Sequence, residues 1–305
     1  MKNSMFMRLA LVAGLLLPLQ AHAFDAGGHM LVDQIAWENL TPQARARVST
    51  LVQGLDKTYN DGLAYNPITA GVWMDDMRSQ PKYPWSKWHY IDVHYTPAAV
   101  TFVEPAPPHA LWAIEQALGT LKDSNSSTEK QSEALGILMH LVADIHMPLH
   151  CADWNDKGGN EVVIEGITLA DVKPGTAPNL HFFWDQAYRC DSVNGQPKQL
   201  YPGFQKPKDR PAAPGEGIIA EQARLIMRRF PAGDLFQLRN SPESPRKWAE
   251  ESYILACAQV YPPQPHPKGS TPLRLTPEYI HRAHETITAR IALGGYRLAK
   301  LLNEL

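Results

Sequence analysis

Apolar positions along this 305-residue chain fall mostly at helical spacing, and alternation is confined to short stretches. After the Gly27-Gly28 bend, Leu31, Val32, Ile35 and Ala36 set the first helical period, with His29 at its start. Thr41-Pro42 is an N-cap and first-turn signal for a second helix through Ala44, Val48 and Leu51. AGVWMDDMRSQ reads as a short helical piece, and HALWAIEQALGTLKD as an amphipathic helix that ends near the polar stretch Asp123 to Thr128. NLHFFWDQAY, residues 179 to 188, predicts a short helix that sets His181 and Asp185 four apart. Further helices are predicted at 216–230, at 244–261 behind Ser244-Pro245, and at 276–303 behind Thr276-Pro277. WHYIDVHY, residues 88 to 95, alternates like a short extended segment, while EVVIEGITL after Lys157-Gly158-Gly159-Asn160 predicts a β-hairpin. The Pro- and charge-rich stretch from Gly203 to Gly217 reads as a surface loop, and no internal repeat is present. The sum is a mainly α, multi-helix fold in one domain over residues 24–305, with a small β-hairpin.

One helical stretch carries chemistry as well as pattern. In TEKQSEALGILMHLVADIHMPLHC, residues 128 to 151, Leu135, Leu138, Met139, Leu141, Val142 and Ile145 predict an amphipathic or largely buried helix that Pro148 ends. His140 and Asp144 share one face of it, and His150 can swing back from the irregular segment toward that face. The result, His-x3-Asp-x5-His, is a zinc-like donor set. An Asp on the inner face of a buried helix must be paired or bound to a cation. His146, between the ligand candidates, reads as a core histidine.

Composition adds a compartment. MKNSMFMRLALVAGLLLPLQAHA holds Lys2 and Arg8, an apolar run from Leu9 to Leu19, and Ala21-His22-Ala23, the pattern of a secretory signal peptide with an A-x-A cleavage site. Cleavage removes Lys2 and Arg8 and no acid, so the formal charge moves from −2 to −4 and the chain begins at Phe24. No later apolar run approaches the ~18 residues of a membrane span. The expected product is exported, periplasmic or secreted, without stable membrane association. Cys151, Cys190 and Cys257 have no C-x-x-C spacing, so a cysteine zinc site is not expected. One disulfide is expected in an oxidising compartment, with Cys151 and Cys190 as the favoured pair.

The remaining ligand candidates are His29, Asp75, His89, His181 and Asp185, besides the amine that cleavage would free at Phe24. Six motifs carry a family resemblance. They are the N-terminal aromatic followed by Gly-His, Trp-x-Asp-x-x-Arg (Trp73, Asp75, Arg78), Trp-His-Tyr-Ile-Asp (Trp88 to Asp92), His-x3-Asp-x5-His, Gly-Gly-Asn, and Asn-Leu-His-x-x-Trp-Asp. In that order and spacing the chain resembles the zinc-dependent single-strand nucleases and 3′-nucleotidases of the S-one and P-one type, which share a helical trinuclear-zinc fold with bacterial phospholipase C.

The resemblance implies three Zn2+ per chain. One would take Asp75, His89, His140 and Asp144; a second the amine and carbonyl of Phe24, His29 and the shared Asp144; a third His150, His181 and Asp185. The family usually begins with Trp where this chain has Phe24, a departure that touches ring packing and not the main-chain ligands. Two zinc ions bridged by one carboxylate sit about 3.5 to 4 Å apart, the separation at which a bridging water becomes a nucleophilic hydroxide near neutral pH. Arg78 would neutralise a non-bridging phosphate oxygen and Asp75 would orient the nucleophile, unless Arg78 is spent on an ordinary salt bridge with Asp76. Tyr90 falls where the family stacks a base and Asp92 where a carboxylate reads a base edge; the alternative is a core Tyr90 and an Asp92 that orients a ligand histidine.

Substrates follow from stacking and charge. Stacking tolerates any sequence but needs an unpaired base, and an acidic mature chain is a poor tracker of duplex phosphates. Single-stranded DNA or RNA and 3′-nucleotides are the expected substrates of a monomer, and the resemblance implies that the bond to the 3′ oxygen breaks, which leaves 5′-phosphates on the strand products. The nearest rival is a phospholipase C on the same cage, but Asp185 stands where the lipid enzymes resemble one another in using Glu. A zinc-storage protein would need the ligands without Arg78, Tyr90 and Asp92. A cytosolic HD-type phosphohydrolase would need an adjacent His-Asp dipeptide, which is absent.

Overall fold

A computed structural model describes residues 24–59, 63–80, 83–96, 100–172, 175–201, 203–237, 244–261 and 267–305. The leader at residues 1 to 23 lies outside them. Asp25 accepts from the Gly28 amide at 3.0 Å and so caps α1 (Ala26–Glu38), whose residues through Ala36 are buried. Thr41 Oγ1 accepts from Ala44 N at 3.2 Å and opens α2 (Pro42–Tyr59) behind the expected Thr-Pro signal. The helical piece around Asp75 is one turn, α3 (Trp73–Asp76), between two 3-10 turns at Ala70–Val72 and Met77–Ser79. The segment after it extends into β1 (Val93–His94), and α4 (Ala110–Lys122) follows.

Ser127 caps α5 (Thr128–Asp144), in which every residue from Ala134 to Asp144 is buried. This helix packs between α2 and α4 and touches α1, so the polar residues of its buried second half, His140 and Asp144, face protein. It ends at Asp144, ahead of Pro148: the amides of Ile145, His146 and Met147 close the last turn onto Leu141, Ala143 and Asp144. His150 then sits on a 3-10 turn, Pro148–His150, before β2 (Ala152–Asp153). β1 and β2 pair in parallel, Val93 with Ala152, which brings the strand after His89 beside the turn of His150.

Residues 161–169 do not form the expected hairpin. Within them β3 (Ile164–Glu165) pairs in parallel with β6 (Leu273–Arg274), and Val163 bridges to Asn179. The hairpin lies later, after α6 (Leu180–Trp184): β4 (Cys190–Val193) and β5 (Gln196–Gln199) run antiparallel. Asn194 and Gly195 join them with φ of 53° and 73°. Both central residues of a type I′ turn need positive φ, which is why Asn-Gly is the strongest two-residue hairpin signal.

The C-terminal half is α7 (Gly217–Arg229), α8 (Ala232–Gln237), α9 (Pro245–Leu255) and α10 (Pro277–Asn303). α9 widens into a π turn over Ala256–Val260, and α10 packs along α1. One hydrophobic cluster runs from Phe24 to Leu302. No helix among the described residues is long and apolar enough to cross a membrane.

The expected Cys151–Cys190 disulfide is not formed; all three thiols are free. Cys151 Sγ lies against the Ile145 carbonyl at 3.5 Å, whereas Cys190 begins β4 on the α10 side. Burial pushes both thiols up to about 12, so neither is a thiolate at neutral pH.

Candidate metal centre

The eight side-chain ligands named from the sequence converge. Asp144, at the end of α5, is the hub. Its Oδ2 lies 3.1 Å from His140 Nε2 and 3.3 Å from His89 Nδ1, and its Oδ1 lies 3.6 Å from His29 Nε2 and 3.5 Å from His150 Nδ1. Asp75 Oδ1 is 3.9 Å from His140 Nε2 and 4.0 Å from His89 Nδ1. Asp185 completes a separate corner, 3.6 Å from His150 Nε2 and 3.6 Å from His181 Nε2. Two donors bound to one tetrahedral ion at ~2.0–2.1 Å stand about 3.3 Å apart, so these spacings suit ions shared between the groups, except that of His150 Nδ1, which donates to His89 O and leaves Nε2 as that ring's ligand atom. His29 with Asp75 and His140, His89 with His140 and Asp144, and His150 with His181 and Asp185 each bring three ligand atoms within 4.8 Å of one another.

Backbone carbonyls aim the rings. His140 Nδ1 donates to Gly71 O at 2.6 Å, His150 Nδ1 to His89 O at 2.8 Å, and His181 Nδ1 to Gly158 O at 2.6 Å. A carbonyl only accepts, so each Nδ1 carries the proton and each Nε2 presents a lone pair toward the cluster. Gly158 explains the Gly-Gly-Asn motif: at φ 59° its carbonyl reaches His181, and a Cβ there would lie 2.7 Å from Leu149 O.

The donor set fits cations. Both ring nitrogens of His29, Nε2 of His150 and both oxygens of Asp185 are buried without a hydrogen-bond partner. Orphaned buried polar atoms are costly, and a cation would satisfy this set. Burial, then the neighbouring imidazoles and Arg78, holds His29 and His89 well below the usual histidine range; burial and then His181 do the same for His150. Those rings are neutral, the form that ligates metal. Burial, followed by the charges of Asp144, Asp25 and Asp75, pushes the Asp185 carboxyl well up. Burial lifts Asp144 to about 6 against the opposing pull of His140. A cation in the cluster relieves this crowding of carboxylates.

Arg78 Nε sits 3.0 Å from Asp75 Oδ1, facing the cluster, and not on Asp76. Asp76 is held in a fork by Arg210, at 2.6 and 2.9 Å, from the loop after Gly203. Tyr90 is half-buried beside His89. Asp92 has φ 51°, a strained backbone for a non-glycine residue. Its side chain reaches solvent, yet crowding by surrounding protein, then Asp153 and Asp156, pushes its carboxyl up to about 7.

Several partners of the site escape a reading of the sequence. Asp33, on the same face of α1 as His29, accepts from Gly71 N at 2.8 Å and so fixes the carbonyl that aims His140. The His29-x3-Asp33 spacing repeats that of His140 and Asp144 and is the available signal. Tyr83 OH meets His89 Nε2 at 2.5 Å.

Most informative is Asp25. Its amide donates to Asp185 O at 3.2 Å, and its carboxylate accepts from Tyr188 OH at 2.5 Å and Arg189 Nε at 2.7 Å. This clamp seats Phe24, fully buried, with its ring edge-on to His29 at 6.1 Å between centroids. Arg189→Met is expected to cost about 3–5 kcal/mol in denaturant unfolding, because it leaves the Asp25 charge buried without its partner.

The chain is similar to nuclease P1 of Penicillium citrinum and nuclease PA3 of a Penicillium species, each 25% identical over 291 residues, or 92% of this chain and 97% of the relative. It is also similar to endonuclease 1 of Arabidopsis thaliana, 27% identical over 311 residues, covering 97% of this chain and 92% of that one. The sequence description of the S1/P1 nuclease family matches residues 24–305, the same span that folds around the His and Asp cluster, and the chain belongs to that family.

Proposed function

We propose that the processed chain is an exported, zinc-dependent nuclease and 3′-nucleotidase that hydrolyses single-stranded DNA and RNA to 5′-phosphate products and 3′-nucleotides to nucleoside and inorganic phosphate. The observation that carries this reading is the gathering of neutral imidazoles and unpartnered carboxylate oxygens around Asp144 and Asp185. Asp75, His89, His140 and Asp144 would hold one ion, Phe24, His29 and Asp144 a second, and His150, His181 and Asp185 a third. When bound, zinc supplies Lewis acidity toward phosphoryl oxygens and acidifies water to near neutral pH.

The chain's own groups supply the rest. Arg78, only 13% exposed, neutralises a non-bridging phosphate oxygen, and its contact with Asp75 fixes the guanidinium for that task. Asp75 Oδ1 accepts from the attacking water and aligns it with the phosphorus. Tyr90 stacks on an unpaired base, which selects single strands. Asp92 accepts from the base edge, and its strained backbone supports a role beyond packing.

Asp92 makes base preference depend on pH. Guanine presents N–H donors on its Watson–Crick edge and needs the ionised carboxylate, which forms only as pH rises through about 7. KM for a guanine 3′-nucleotide is expected to fall across pH 6 to 8 in the wild type, relative to a uracil 3′-nucleotide. In Asp92→Asn that relative change should vanish. The function itself is tested by assaying zinc-loaded, processed protein on single-stranded DNA, RNA, duplex DNA, 3′-AMP and phosphatidylcholine. Turnover of the lipid alone overturns the proposal.

A further inference from the structure

Tyr83 stands at the Arg78 edge of the cluster, and the roles given to Arg78 and Asp75 leave its hydroxyl unused. The phenol oxygen meets His89 Nε2 at 2.5 Å and accepts from the Arg78 guanidinium. Its ring has a fixed seat. It lies 6.1 Å from the His89 imidazole at an interplanar angle of 29°, and edge-on to Trp85 at 5.2 Å. Trp85 is in turn buried against Trp73. Tyr83 and Arg78 are both partly buried, so the pair forms part of the cluster's rim and not of the core.

Counting donors and acceptors shows where the hydroxyl proton is free to go. His89 turns Nδ1 to the cluster, 2.8 Å from His140 Nε2 and 3.3 Å from Asp144 Oδ2. His140 carries its own proton on Nδ1, which donates to Gly71 O. His140 Nε2 and His89 Nδ1 therefore meet as two lone pairs across the ion they would share. The proton of neutral His89 is then on Nε2, where the Tyr83 oxygen accepts it. A guanidinium only donates, so Arg78 takes up the oxygen's remaining capacity as an acceptor. The phenol keeps its own proton at neutral pH, and neither partner can receive it. Among the described residues no carboxylate or carbonyl oxygen meets this hydroxyl.

We propose that Tyr83 is a catalytic residue that donates this hydrogen bond to a non-bridging oxygen of the phosphate held by Arg78, so that guanidinium and phenol grip the phosphoryl group together. The proposal rests on the nuclease reading above. No bond to hydrogen breaks at Tyr83. Water adds to phosphorus, the bond to the 3′ oxygen breaks, and the phenol proton stays in place, drawn closer as negative charge gathers on the phosphoryl oxygens in the transition state. Tyr83 meets the side of His89 turned away from the ions, so the metal cage is complete without its hydroxyl.

Tyr83→Phe in the zinc-loaded, processed protein removes one oxygen and keeps the ring between Trp85 and His89. On single-stranded DNA and on 3′-AMP, kcat and kcat/KM should fall together by about 10²-fold, the loss typical of one preorganised donor, with KM within about threefold of the wild type. Two further measurements separate donation to phosphate from mere support of His89. Bound zinc should equal that of the wild type. Affinity for orthovanadate, which adopts the five-coordinate geometry of the transition state, should fall by about the same factor as kcat/KM, while affinity for inorganic phosphate hardly changes. An unchanged kcat in an active enzyme overturns the role of Tyr83 alone, and so does a loss of zinc or an unchanged affinity for orthovanadate. A wild type inactive on every nucleotide substrate overturns the nuclease reading, and the role of Tyr83 with it.

Discussion

Asp144→Ala is expected to reduce nucleic-acid turnover by about 10³-fold or more and to lower bound zinc below three per chain. The size follows from position. Asp144 reaches His89 and His140 with one oxygen and His29 and His150 with the other, all within 3.1 to 3.6 Å. Losing it unmakes two neighbouring donor sets together, and the Lewis-acid stabilisation they would support is worth several kcal/mol, at tenfold per 1.36 kcal/mol. Asp144→Asn separates charge from shape, since it keeps the side-chain outline and should fail nearly as badly.

Stability should move the opposite way without metal. The folded carboxyl titrates at about 6, above its unfolded value, so the native state loses stability as pH rises from about 4 through 6. Metal-free Asp144→Asn should therefore melt higher than the metal-free wild type at pH 7, and lower than the zinc-loaded wild type. Full zinc loading with unimpaired turnover in the alanine variant would remove Asp144 from the site.

The second large effect is expected at the N-terminus. A chain that keeps Ala23 in front of Phe24 should bind one zinc fewer and turn over about 10²- to 10³-fold more slowly, as befits loss of one ion's charge stabilisation. The Asp25 clamp is the structural ground. Asp25 ties its amide to Asp185 and its carboxylate to Gly28, Tyr188 and Arg189, so the residue before it is delivered to His29 whether or not a leader precedes it. What cleavage would change is then the amine alone. Intact mass, zinc content and turnover measured on chains starting at Ala23 and at Phe24 decide the matter; equal zinc and equal rates would exclude the Phe24 amine as a ligand.

Local physics makes most helices legible. Thr41, Ser244 and Thr276 each accept from an amide three residues on, as cap signals do. The i,i+4 pairs His140 with Asp144 and His181 with Asp185 announce the site because helical geometry fixes what such pairs share. What stays hidden is non-local. Val163 and Leu273 join strands more than a hundred residues apart, so EVVIEGITL looks like half of a local hairpin. Arg189 finds Asp25, and Arg210 finds Asp76, at separations of 164 and 134 residues. No periodicity encodes those pairings. Arg78 takes Asp75 over Asp76 for the same reason, since Arg210 claims the second carboxylate from afar. The Asn194-Gly195 turn is readable in the sequence, but its flanks are polar and the more apolar EVVIEGITL outweighs them.

Asp75 and Asp76 are consecutive and face opposite partners, one the His and Asp cluster and the other Arg210 in the loop after Gly203. That arrangement makes the loop an exchangeable cassette. A transplanted segment would have to keep Arg210 for Asp76, the carbonyls of Pro211 and Ala212 for Asn66 and the Gly215 amide for Gln34 to be seated as this loop is, while Asp75 stays turned to the cluster.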